Sequence, residues 1–193
     1  MIIPFLGQIN FGIIYPLVLV PIAVVCVANA TNMLAGMNGL EAGLGFVATL
    51  SVGVFALLRG QIEGAIIALI LSVSLLAFLK WNWWPAKILP GDSLTYLTGA
   101  GFVTAVVLAN VETFGIVVFI PWIVEAFLKL RGRFRVSSLG ILQKGGTLKS
   151  QYGKIYSLTH VVMKSGKFKE KQVTSILIGA EIIICAIAFL MFL

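Results

Sequence analysis

Six predominantly apolar runs, at about residues 11–28, 40–58, 63–80, 93–110, 113–130 and 173–193, divide this chain of 193 residues. Each approaches the roughly 20 residues that a helix needs to cross the hydrocarbon core of a bilayer. No water is available there to bond backbone amides, so such runs must fold as helices that satisfy their own hydrogen bonds. The fold expected is an all-α, polytopic transmembrane helical bundle of about six spans, with residues 1–193 as a single transmembrane domain. Composition agrees: 60% of the residues are hydrophobic, 11% are charged and the mean hydropathy is +1.06, where a soluble domain has about half and a quarter. The segment Met1 to Asn10 is interrupted by Pro4, Gly7 and Gln8, which predicts a short interfacial piece instead of a span. No Lys or Arg precedes Arg59, so no cleavable targeting peptide is expected.

Six spans put both termini on one side, and the basic residues say which. Of fourteen Lys and Arg, eleven lie between Lys129 and Lys171, and Lys80 and Lys87 flank the connection between the third and fourth runs. Basic loops stay cytoplasmic. This places the 131–172 loop, the Asn29 to Gly43 segment and the Trp81 to Asp92 loop on the cytoplasmic face, with both termini opposite. The net charge of +7 is concentrated in the basic loop. That loop reads either as a topology signal with anionic-lipid contact or as a site for an anionic substrate. No recognition fold or basic-aromatic interleaving suggests nucleic acid. Trp81, Trp83 and Trp84 suit headgroup anchoring, and Cys26 and Cys185, each inside an apolar run, read as buried small hydrophobes.

The segment Asn29-Ala-Thr-Asn-Met-Leu-Ala-Gly-Met-Asn-Gly-Leu-Glu-Ala-Gly43 sets three carboxamides and a carboxylate between two apolar runs. An unpaired polar group in hydrocarbon costs several kcal/mol, so this cluster is expected to line a functional site. Asn29 and Asn32, three apart, share a helix face, and Gly36 and Gly39 loosen the chain on either side of Asn38. Interhelical hydrogen bonding is the plainer reading for any one of these amides. Asp92, the only aspartate, follows Pro90-Gly91. It suits either a helix cap or a hard oxygen ligand for Mg2+, which commonly takes one or two carboxylates with substrate phosphates and water. Arg133 and Arg135 are suited to a diphosphate, because guanidinium groups bond phosphate oxygens in pairs, or else to a solvated topology signal. His160, the sole histidine, has no sequence partner that makes it a general base. There is no P-loop, no GxSxG elbow and no HExxH.

The Asn29 to Gly43 segment, followed by Asn82-Trp-Trp-Pro85 and Gly91-Asp-Ser93, resembles the polyprenyl-phosphate N-acetylhexosamine-1-phosphate transferases of glycosyltransferase family 4. The resemblance is nearest to the eukaryotic and archaeal branch, which transfers GlcNAc-1-phosphate from UDP-GlcNAc to dolichyl phosphate. Bacterial muramoyl-pentapeptide transferases carry aspartates where this chain has Ala35 and Asn38, which favours UDP-GlcNAc. By the resemblance, Asn32 and Asp92 match the family's magnesium ligands and Asn38 matches the amide that reads uracil. Asn29 and Glu41 match further motif positions on the substrate side. Arg133 and Arg135 match the outer positions of an Arg-His-Arg element that contacts the nucleotide sugar. Phe134 stands where that element has histidine, and Leu89 where the eukaryotic enzyme has a stacking aromatic.

What the resemblance implies is an Mg2+-dependent phosphotransferase that releases UMP in the first step of lipid-linked glycan assembly for protein glycosylation. Asn32 and Asp92 would be its catalytic and metal residues. Family members have about ten spans, and this chain resembles the last six. The family's paired aspartates and lysine on earlier spans have no counterpart, since no Asp, Glu, Lys or Arg precedes Asn29. The expectation is accordingly a C-terminal part that works alone, as a homodimer or with a separate N-terminal half. The alternative is a non-catalytic or truncated membrane subunit. A small transporter has little support, because the polar groups gather at one face instead of along a path.

Overall fold

The computed structural model describes the backbone of residues 2–3 and 7–8 and all of residues 11–193. Two short antiparallel strands, β1 (Ile2–Ile3) and β2 (Gly7–Gln8), precede the helices. The rest of the interfacial piece expected over Met1 to Asn10 lies outside the described residues.

The apolar runs fold as helices. A π-helical turn, Tyr15–Leu19, leads into α1 (Val20–Met33), and the two together make one continuous apolar helix. It ends five residues beyond the expected boundary, so Asn29 and Asn32 lie on its last turns. The next helices are α2 (Leu40–Leu58), α3 (Ile62–Asn82) and α4 (Gly91–Leu108). Helix α2 is the buried centre of the bundle, flanked by α3, α4, α5 and α8. The fifth run is not one straight helix. It is α5 (Glu112–Val118) and α6 (Ile120–Arg131), bent by 60°. Pro121 accounts for the break, because its ring excludes a helical turn against the carbonyl four residues earlier and supplies no N–H.

The basic loop is partly sheet, which departs from an all-α reading. Strands β3 (Gly140–Leu142), β4 (Thr147–Ser150) and β5 (Phe168–Lys169) form an antiparallel sheet in the order β3-β4-β5. Helix α7 (Leu158–Ser165) lies between β4 and β5, and α8 (Glu170–Phe192) closes the chain. Leu148 and Phe168 are cross-strand partners and pack on the main core.

Four of these helices, namely Tyr15–Met33, α2, α3 and α8, are long and apolar enough to cross a membrane, and the bent pair α5–α6 makes a fifth if it counts as one span. Helix α4 has the length but carries Asp92, Ser93 and Thr95, Thr98 and Thr104. Outward-facing Ile22, Val25, Ile70, Leu76, Ile183 and Leu190 coat the bundle, as expected of surfaces that meet lipid instead of water. Inside, the Phe55 and Phe114 rings stack at 4.0 Å between centroids, with Phe189 edge-on to both.

The connections then sort by end. Residues 33–40, 82–91 and 131–170 meet at one end of the bundle, and the Tyr15 hydroxyl bonds the Glu112 carboxylate at the other.

Candidate active site

Helices α1 and α4 approach until their backbones touch. A Cβ at Gly99 would lie 2.6 Å from the Ala28 Cα, so only glycine permits this contact. The Thr31 hydroxyl sits 2.8 Å from the Thr95 carbonyl, which fixes the register of the pair. One residue on, the Asn32 amide nitrogen donates to the Tyr96 hydroxyl at 3.2 Å. Asp92 precedes Tyr96 by four residues and therefore shares its face of α4. The Asp92 side chain is solvent-facing in the first helical turn, and no side-chain cap bond closes the α4 N-terminus. Asn32 and Asp92 thus stand on facing helices at one end of the bundle, and the Asn32 oxygen has no hydrogen bond among the described residues.

The segment between α1 and α2 is held from three directions. Gly39 has φ +75°, and Trp83 lies so close that an added Cβ would meet its ring at 2.6 Å. Trp83 is therefore packed behind the motif, while Trp81 and Trp84 are exposed. The Gly36 N–H donates to Glu41 at 2.6 Å, and the Asn38 N–H donates to Glu170 on α8 at 2.8 Å. The Thr174 hydroxyl completes the tether by donating to the Asn38 carbonyl. Asn38 itself is half-buried, and Glu41 is buried behind the segment. Asn29 is exposed on the Asn32 face of α1, with its amide donating to the Val25 carbonyl.

The arginine turn reaches the same end by a route not marked in the sequence. Glu125 and Lys129, four apart on α6, form a buried ion pair at 3.6 Å. Lys129 also donates to the Val136 carbonyl at 2.9 Å and to the Ser138 hydroxyl at 2.7 Å. Glu125 accepts from the Leu158 N–H at 2.7 Å and the Ser157 hydroxyl at 3.1 Å. The turn between holds Arg133 and Phe134 at φ +52° and +56°, with Arg133 and Arg135 exposed on either side of Phe134. His160 is fully buried beside this network, its Nδ1 accepting from the Tyr156 N–H. Burial, reinforced by the Lys129 and Lys164 cations, holds its imidazole below the usual histidine range.

Two hollows adjoin here. A polar cleft of about 370 Å3 is lined by Asn32, Lys129, Phe134 and Ser138. An apolar groove of about 570 Å3 runs between α1, α4, α5 and α6, from Tyr15 and Glu112 at the far end to Leu130 and Phe134. Phe134 belongs to both walls. Such a pair of hollows suits a ligand with a charged head and a long apolar tail, or two ligands that meet at their junction.

Among the described residues, no group of three or more His, Cys, Asp and Glu gathers to hold a metal. A divalent ion at this end would draw on the Asp92 carboxylate and the Asn32 oxygen, with substrate and water for the remainder. That donor set suits magnesium. Glu125, Lys129, Ser138 and Tyr96 are additions from the structure. The available sequence signal for the first two is a carboxylate inside an apolar run with a lysine four residues later.

The profile of glycosyl transferase family 4 matches residues 1–110. A Saccharolobus solfataricus protein with the provisional name UDP-N-acetylglucosamine–dolichyl-phosphate N-acetylglucosaminephosphotransferase is 41% identical over 191 residues, which is 98% of this chain and 59% of that protein. A Sulfolobus acidocaldarius protein with the same provisional name is 37% identical over 96% of this chain and 57% of its own length. The Schizosaccharomyces pombe UDP-N-acetylglucosamine–dolichyl-phosphate N-acetylglucosaminephosphotransferase is 32% identical over 62% of this chain and 30% of its own. The chain therefore spans under two thirds of the length of each of these relatives.

Proposed function

The chain belongs to glycosyl transferase family 4, and we propose that it transfers GlcNAc-1-phosphate from UDP-GlcNAc to a polyprenyl phosphate of the dolichyl type, with release of UMP. The observation that carries this reading is the junction at Phe134 of a polar cleft and an apolar groove. The donor is a charged nucleotide sugar and the acceptor a phosphate on a long hydrocarbon, so their reacting ends must meet where such compartments join.

A phosphate oxygen of the lipid attacks the β-phosphorus of UDP-GlcNAc, the bond from that phosphorus to the UMP oxygen breaks, and UMP leaves with the electron pair. The obstacle is repulsion between two anions. Arg133 and Arg135 bind the diphosphate and hold it in line, because paired guanidinium bonds restrict its orientation. Asn38 contacts the uracil, Asn29 stands on the exposed side of the same motif, and Glu41 supports the segment from behind through the Gly36 N–H instead of facing substrate. Asn32 and Asp92 would hold Mg2+, which when bound neutralises pyrophosphate charge. The apolar groove takes the first isoprene units of the acceptor and excludes water from the junction. No covalent intermediate on the protein is needed.

Six crossings follow if α4 and the bent α5–α6 pair each count as one, which puts both termini on one side. The Lys-rich segment 129–171 then marks the active end as cytoplasmic.

The test is transfer of label from radiolabelled UDP-GlcNAc into butanol-extractable lipid, using membranes that contain the chain alone and membranes that also contain a polypeptide covering the rest of the relatives' length. Turnover in the second set only assigns the reaction to a pair of polypeptides. No Mg2+-dependent turnover in either leaves the chain as a non-catalytic membrane subunit.

A further inference from the structure

Behind the motif segment, Thr31, Glu41, Thr95, Thr98 and Trp122 enclose a small cavity with about 10 Å3 open to a water centre. That is close to the space one water molecule requires. Glu41 and Thr98 are 9% and 5% exposed, and the Glu41 Oε2 and the Thr98 hydroxyl are both buried without a hydrogen-bond partner among the described residues. The other hydroxyls around the cavity are engaged, Thr31 with the Ala28 and Thr95 carbonyls and Thr95 with the Asp92 carbonyl. Leaving two such oxygens unpaired is costly, and a polar cavity of this size is where buried waters sit.

We propose that a single buried water bridges Glu41 Oε2 to the Thr98 hydroxyl, and that Glu41 is thereby a positioning residue for the motif segment. The water donates one hydrogen to the carboxylate and exchanges its second bond with Thr98. A bare cation is a poorer occupant, because two free oxygens are fewer than a metal ion takes. The other Glu41 oxygen already holds the Gly36 N–H. One carboxylate therefore ties the segment that follows Asn32 to the helix that bears Asp92 and Tyr96. Helices α1 and α4 are already joined by the Thr31–Thr95 and Asn32–Tyr96 hydrogen bonds and the Gly99 contact, and the bridge adds the tie that these leave out, between the motif segment and α4.

Hydrogen exchange of the backbone amides at residues 34–39 tests this on the whole chain in nanodiscs, without substrate, so the outcome is independent of the transfer reaction. Thr98→Val is expected to speed exchange there about tenfold, the worth of one lost hydrogen bond, with α3 and α8 amides unchanged. Thr98→Ser, which keeps the hydroxyl, is expected to match the parent. Thr98→Val should add nothing in a Glu41→Gln background in which the bridge is already weakened. A crystal or cryo-microscopy map should show one ordered water within hydrogen-bond reach of both side chains. Equal exchange in Thr98→Val and the parent, equal acceleration by Thr98→Ser and Thr98→Val, or an empty cavity in a map that resolves neighbouring waters would each overturn the proposal.

Discussion

The Ser138 hydroxyl donates to the main-chain carbonyl of Met33 at 3.1 Å, joining residues 105 positions apart. Met33 ends α1, where a carbonyl has no intrahelical partner, and Ser138 supplies one. Lys129 donates to that same Ser138 hydroxyl and is paired with Glu125. A buried ion pair therefore determines where the Arg133–Arg135 turn lies relative to Asn32. Removing one member leaves an uncompensated buried charge, which costs about 3–5 kcal/mol. Glu125→Ala is expected to lose stability on this scale in reversible unfolding from detergent micelles. The double variant Glu125→Leu with Lys129→Met should recover much of it, and a double variant as unstable as the single one would contradict the coupling.

Asp92 separates function from stability. Its carboxylate faces solvent and makes no cap bond, so Asp92→Ala should leave the melting temperature unchanged. Transfer into lipid should fall by about a hundredfold or more, as when a charge-stabilising group is removed from a reacting centre. Mg2+ titration should show weaker binding in the same variant. Full activity in Asp92→Ala would end the metal role.

Much of this arrangement is legible in the sequence, for identifiable reasons. Predominantly apolar runs near 20 residues leave only helices in a bilayer, so a helical bundle follows from the hydropathy pattern. Asn32 and Asp92 stand out because polar groups among apolar runs are expensive. The three-stranded sheet is harder to see, although Gly145-Gly146 between Ile141-Leu142 and Thr147-Leu148 is a hairpin signal, because the strands are only two to four residues long and sit in a loop read for its charge. The bend before α6 has a visible cause in Pro121. The Glu125–Lys129 pair merges with the end of a span, and its role depends on Ser138 and Ser157, whose placement only the fold reveals. Trp83 reads as a headgroup anchor by position, and its contact with Gly39 comes from the turn that follows α3.

Gly39 makes a local test of that contact. At φ +75° any other residue is strained by roughly 1–2 kcal/mol, and an added Cβ would meet Trp83 at 2.6 Å. Gly39→Ala should lower the melting temperature and slow transfer. In a Trp83→Ala background the same substitution should cost less, since only backbone strain remains. Equal costs in both backgrounds would separate Trp83 from the motif.

His160 makes stability depend on pH. Burial, with Lys129 and Lys164 nearby, disfavours its charged form in the folded chain, while the unfolded chain binds a proton at about pH 6.5. The unfolded state then holds more protons in acid, so stability is complete above about pH 6.5 and declines as the pH falls below it. The melting temperature should drop between about pH 7.5 and 5.5, and His160→Gln should flatten that profile. A parent profile no steeper than that of the variant would show that another group dominates.

The apolar groove offers a kinetic test that distinguishes its occupant from that of the cleft. Ala23 on α1 and Ala126 on α6 both line it, and Ala126 is only partly buried, so a larger side chain fills the hollow instead of the packed core. Ala126→Trp should raise the KM for polyprenyl phosphate by about tenfold or more, because a filled hollow denies the tail the burial of one or two isoprene units at about 0.8 kcal/mol per methylene-sized group. The KM for UDP-GlcNAc should stay near the parent value if, as proposed, the donor uses the Asn32 and arginine side of Phe134. A short-chain acceptor, too small to reach Ala126, should show no difference between variant and parent. A rise in donor KM instead, with acceptor KM unchanged, would move the nucleotide into the groove and reverse the assignment of the two hollows.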